Sequence, residues 1–275
     1  MQTISGTAAG VPFTALPPAD ATDGPSPLIV TWHMLDAPRT DSAFAAALPM
    51  TGVPAWRVHL GMPMCGERMV EGRVDAAVEL IRKDPLMAYA APFTLQAADE
   101  FPAALAALRD QLSVDDDPIG ILGGSLGGAV ALEVWARQQT AIKAVALVNP
   151  GVRARSTVGV IEAAFGQPYP WTADARKTAD DLDFVARVED FTAQPPLLLV
   201  SGELDHPAFR TDAEDLVQAL RERYAHPNEI ELINVPGLAH PLADEPGLEA
   251  APQRPAAKMV DEILTRWFLR QLTAA

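Results

Sequence analysis

Six short strand-like runs recur along this chain with helical patterns between most of them, an alternation foreign to an all-β or all-helical fold. They are LIVTW within Pro27–His33, AWRVHL at Ala55–Leu60, IGIL at Ile119–Leu122, IKAVALVN at Ile142–Asn149, LLLVS at Leu197–Ser201 and EIELINV at Glu229–Val235. The first, at Pro27–His33, is a dense apolar run of the kind that buries both faces in a parallel sheet, and the others continue the strand rhythm. Helical patterns fall between them at Asp41–Leu48, Val74–Arg82, Leu126–Gln139 and Asp212–Tyr224, and Lys258–Leu272 ends the chain with another. A further helix is expected over Phe101–Leu112, with Asp99 offering an N-cap. Strand–helix alternation predicts an α/β fold, a mostly parallel central sheet covered by helices on both faces. Gln2–Leu16 reads as an edge hairpin, and Pro17–Pro27 as a turn-rich connector.

The chain of 275 residues is expected to form one domain, 1–275. Residues 151–196 interrupt the rhythm for longer than a simple crossover needs and are expected to form a small cap or lid. Phe165, Tyr169 and Trp171 in this insertion form either the underside of the lid or a small core of their own. A formal charge of −15 disfavours nucleic acid and anionic membrane surfaces as partners. The N-terminus lacks the basic start and apolar core of a secretory signal, so a cytoplasmic location is expected. Cys65 is the single cysteine, which excludes an intramolecular disulfide, and it reads as a small apolar filler.

Between the third run and its helix stands Gly123-Gly124-Ser125-Leu126-Gly127, followed by Gly128. The pattern G-x-S-x-G between a strand and a helix is a nucleophile elbow, in which serine crowns a tight turn. Glycines two residues to either side let strand and helix pass closely, while the hydroxyl projects at a helix N-terminus. There the Leu126 N–H is expected to meet a developing oxyanion.

A serine needs a base, and the base needs an orienting carboxylate. Of the five histidines, His240 follows the last strand run and Asp205 follows the one before it. Ser125, Asp205 and His240 thus all fall at carboxyl ends of parallel strands, where α/β sheets place their sites. His206, adjoining Asp205, is the alternative orienting group, while His59 and His226 read as structural or solvated.

From Pro27 to His240 the chain resembles the α/β-hydrolase superfamily. SGELDHP is similar to its acid-bearing turn, VPGLAHP to its histidine-bearing turn, and the Ser–Asp–His order is the same. HLGMPMCGERM, FTLQAADEFPAALAAL and IGILGGSLGGAVAL resemble small bacterial carboxylesterases of the dienelactone-hydrolase and prolyl-oligopeptidase-like branch. The resemblance implies a serine hydrolase acting on a small-molecule ester through an acyl-serine intermediate, without metal or cofactor. It also implies a second oxyanion donor in the loop after the first long strand, at the Leu35 N–H of His33-Met34-Leu35, with His33 supporting the loop. Met34 stands where such enzymes usually carry glycine, leaving the Met34 N–H as an alternative donor. An acyltransferase or peptidase using the same triad, and a non-catalytic binding protein of this fold, are the competing expectations.

Overall fold

The computed structural model describes residues 2–19 and 24–273. Eight strands form one sheet in the order β1-β2-β4-β3-β5-β6-β7-β8. β1 (Ile4–Ala8) and β2 (Val11–Leu16) are the expected edge hairpin. Its two-residue turn, Ala9-Gly10, has positive φ at both positions, as the right-handed twist of the flanking strands requires. β2 runs antiparallel to β4 (Trp56–Leu60). The remaining pairings, through β3 (Leu28–Trp32), β5 (Ile119–Gly124), β6 (Ile142–Val148), β7 (Leu197–Leu204) and β8 (Ile230–Ala239), are parallel.

Two hydrophobic cores explain why the central strand runs are mostly apolar on both faces. On β7, Leu197 and Leu199 enter one core while Leu198 and Val200 enter the other. β3 and β6 divide their side chains in the same way, following the two-residue period of a strand. One face is covered mainly by α3 (Ala91–Gln111), α4 (Leu126–Arg137) and α7 (Pro207–Arg221). The other is covered by α1 (Asp41–Ala47) and α8 (Pro255–Thr273), where Phe44, Trp267 and Phe268 are fully or almost fully buried. α2 (Val74–Lys83) lies before α3, while α5 (Ala154–Phe165) and α6 (Ala173–Asp181) lie between β6 and β7, in the long interval 151–196.

α3 departs from expectation. It begins at Ala91, ten residues before the expected start at Phe101, and carries Pro102 inside it. Proline is favoured in a first turn, which makes Phe101-Pro102 look like a beginning. Burial of Phe93, Ala97, Ala98, Phe101, Ala104 and Leu108 along one stripe carries the helix through. Asp99 is therefore no cap; its carboxylate pairs with Arg137 at 2.6 Å. The cap belongs to Asp84, which accepts from the Leu86 and Met87 amides ahead of a π-helical turn at Pro85–Ala90. β8 also outruns its expected end at Val235, so that His240 directly follows the strand. None of the described helices is long and apolar enough to cross a membrane.

Candidate active site

Ser125 joins β5 to α4 with φ 49° and ψ −121°, a conformation that L-residues rarely adopt. Its amide donates to the Val148 carbonyl at 3.0 Å, and its carbonyl accepts from Gly128 and Gly151 at 2.9 and 2.8 Å. The turn is thus held on both sides. Side chains on the flanking residues would break it. A Cβ on Gly123 would stand 2.2 Å from the Gly127 carbonyl oxygen, and one on Gly127 only 2.3 and 2.4 Å from the Trp32 and His33 carbonyl oxygens. The glycines are there because backbone passes backbone at van der Waals limits.

Asp205 and His240 arrive from the ends of β7 and β8. The Ser125 hydroxyl and His240 Nε2 are 2.7 Å apart, and His240 Nδ1 and Asp205 Oδ1 are also 2.7 Å apart. A carboxylate accepts, so Nδ1 carries the hydrogen and Nε2 is left to accept from the serine hydroxyl. All three residues are buried to 94% or more. Asp205 Oδ1 also accepts from the His206 amide at 2.6 Å, which fixes the carboxylate. His206 itself caps α7 and sets its ring near that of His240, at 5.4 Å, beside Phe209 at 5.1 Å. Its ring packs beside the imidazole at a tilt of 51°, and it is Asp205 that meets Nδ1.

Leu35 and Leu126 line the same cavity as Ser125 and His240, a space of about 650 Å³. As the first residue of α4, Leu126 has an amide with no partner inside the helix. The loop carrying Leu35 is braced by His33, whose Nδ1 donates to the Met34 carbonyl at 2.7 Å while Nε2 accepts from the Met62 amide at 3.2 Å. Burial lowers the His33 pKa to about 4, consistent with a neutral ring that holds both bonds. Met34 is fully buried in the core beneath the loop, in the cluster that contains Phe44. A Cβ on Gly124 would come within 3.0 Å of its Cγ, so Gly124 makes room for the methionine.

Two site residues carry no motif in the sequence. Asn149 follows β6 with φ 44°, and its side-chain amide donates to the Ala239 and His240 carbonyls at 2.9 and 3.1 Å. Its Oδ1 accepts from Gly202 at 2.7 Å, so one side chain ties the tips of β7 and β8 together. Asparagine's tolerance of positive φ is the local signal for such a position, and Asn149-Pro150 at a strand end carries it. The second is Asp36, next to Leu35, whose Oδ2 lies 3.4 Å from His240 Nε2.

The segment after His240 is fastened to the Leu35 loop. The Leu242 amide donates to Ala37 at 2.9 Å, Arg39 donates to Gly247 at 2.8 Å, and Thr40 Oγ1 donates to Leu248 at 2.9 Å. Arg39 and Glu245 close the contact as an ion pair at 2.5 Å.

The aromatic residues of the interval 151–196 divide. Phe165 lines the serine cavity, with Arg82 over its ring. Tyr169 and Trp171 instead pack edge to face, 4.8 Å apart, and Tyr169 donates to Asp84 at 2.8 Å. Cys65 is buried beside the Tyr89 hydroxyl at 3.6 Å, and burial pushes its thiol pKa up, as suits a packing role. His59 is fully buried against Thr31 Oγ1 at 2.8 Å, far from solvent, and His226 is exposed ahead of the 3-10 turn Pro227–Glu229.

Residues 95–273 match the model of the prolyl oligopeptidase family. No curated protein matches the chain. Among solved structures, it is similar to TT1662 from Thermus thermophilus at 20% identity and a TM-score of 0.65, covering 98% of this chain and 99% of that one. A Mycobacterium tuberculosis puromycin-hydrolyzing peptidase is similar at 16% identity and a TM-score of 0.67. That match covers all of this chain, which spans only 40% of the peptidase's length. Carboxyl esterase 2 from the mycorrhizal fungus Tuber melanosporum is similar at 19% identity and a TM-score of 0.57, covering 98% of this chain and 85% of the esterase. At such identities these structures share the α/β-hydrolase fold, and the family match adds the chemistry: the chain is a serine hydrolase and belongs to the prolyl oligopeptidase family.

Proposed function

We propose that this protein hydrolyses carboxylic esters of small molecules, with Ser125 as nucleophile, His240 as base and Asp205 as its orienting acid. The observation that carries this reading is the unbroken relay from hydroxyl to imidazole to carboxylate, 2.7 Å at each step. Ser125 Oγ attacks the carbonyl carbon as its proton passes to His240 Nε2, and Asp205 stabilises the imidazolium through Nδ1–H. The Leu126 and Leu35 amides receive the oxyanion. Collapse expels the alcohol, protonated by the same nitrogen, and water attacks the acyl-serine by the reverse sequence.

Residues 151–196 act as a cap in this reading. α5 supplies Val160, Ile161, Ala164 and Phe165 to the cavity, and α2 supplies Val78 and Ile81. An apolar wall on that side suits an acyl chain. The chain's strong negative charge fits neither nucleic acid nor anionic membrane as partner.

Peptide cleavage by the same residues is the second reading, favoured by the family match. Ester and anilide substrates with a common acyl group separate the two. We expect p-nitrophenyl acetate to be turned over faster than the matched anilide, and both this turnover and fluorophosphonate labelling to vanish in Ser125→Ala. Persistence of both in the pure variant overturns the assignment of the nucleophile; turnover of the anilide alone favours the peptidase.

A further inference from the structure

Asp36 is a carboxylate that the relay does not use. His240 is already oriented through Nδ1 by Asp205, yet Asp36 Oδ2 stands 3.4 Å from the opposite nitrogen, Nε2. Among the described residues it has no other ion-pair partner. Arg39, the cation that lines the same cavity, is committed to Glu245. The Asp36 side chain is 46% exposed and lines the cavity, so its charge is open to whatever enters.

Its position decides which part of a substrate it meets. Nε2 takes the serine proton and returns it to the departing oxygen, so a group beside Nε2 on the open side neighbours the leaving group. In the esterase reading the apolar residues that α2 and α5 bring to the cavity take the acyl side. We propose that Asp36 makes the leaving-group side of the cavity a cation-accepting subsite, so that preferred substrates are esters of alcohols bearing an ammonium or guanidinium group near the scissile bond. This rests on the esterase reading above and adds the class of alcohol to it. A cationic alcohol pairs with Asp36, an anionic one is repelled by it, and the −15 charge of the whole chain draws cations toward the site.

Matched acetate esters of choline, of its uncharged isostere 3,3-dimethylbutanol and of an anionic hydroxy acid test the proposal. In the native enzyme the choline ester is expected to exceed its isostere in kcat/KM by about three- to fivefold, in keeping with a partly exposed ion pair, with the anionic ester slowest. In Asp36→Asn that ratio should collapse toward unity, chiefly through KM for the cationic ester. Added salt should shrink the ratio in the native enzyme, a measurement that needs no mutant, and shrink it less in the variant. Equal ratios in the two proteins, or a native ratio near one, overturn the proposal. Choline should also slow fluorophosphonate labelling of Ser125 in the native protein and not in the variant. If no ester is cleaved but this protection remains, the esterase reading falls while the cation subsite stands.

Discussion

Ser125 holds its left-handed conformation because Gly123 and Gly127, two residues to either side, lack side chains. Adding one methyl at Gly127 puts carbon 2.3 Å from a main-chain oxygen, a contact that no rotamer change relieves. Gly127→Ala is therefore expected to destabilise the fold by about 3 kcal/mol or more, measured by denaturant unfolding, and to abolish turnover in whatever folds. A loss below 1 kcal/mol would show that the turn relaxes more easily than its contacts imply. Ser125, Asp205 and His240 are legible in the amino-acid sequence, because a rare turn and two strand-end positions constrain one another. Asn149 and Asp36 are not. Their roles come from where other strands and loops end, and a single strand-terminal residue says nothing about its neighbour in the next strand. Met34 is legible only as an oddity; its acceptance depends on the space that Gly124 leaves under the loop.

At the scale of elements, the relay depends on the tips of β7 and β8 being held in register, and Asn149 holds them. Asn149→Asp keeps the size but turns the donor toward Ala239 and His240 into a third oxygen facing two carbonyls. An expected loss of about 2 kcal/mol follows from breaking buried hydrogen bonds, together with at least a tenfold fall in kcat well below the melting temperature. Near-native kcat in the folded variant would assign Asn149 to stability alone. Strands are the most legible elements: β3 is wholly buried and apolar but for Thr31, and β5, β6 and β7 keep dense apolar stretches even where a charged residue stands at an end. α3 is longer than its sequence pattern suggests because a proline inside a helix carries the local signal of a beginning, and only packing against the sheet overrides it.

For the whole molecule, two buried histidines tie stability to pH. Burial lowers His33 to about 4 and His59 to about 3, against 6.5 for an exposed ring. Between pH 6.5 and about 4 the unfolded chain therefore binds protons that the folded chain refuses, and stability rises with pH across that window. The melting temperature should fall as solutions are acidified below pH 6.5, and less steeply in His59→Gln. An identical slope in that variant would remove His59 from the account. The fastening of the Leu35 loop to the stretch from Leu242 to Leu248 carries a consequence for redesign. These pieces lie far apart in the chain, yet each supplies hydrogen-bond partners to the other's backbone. Swapping in a relative's histidine-bearing tail would import half of a clasp; a working chimera has to exchange both halves together.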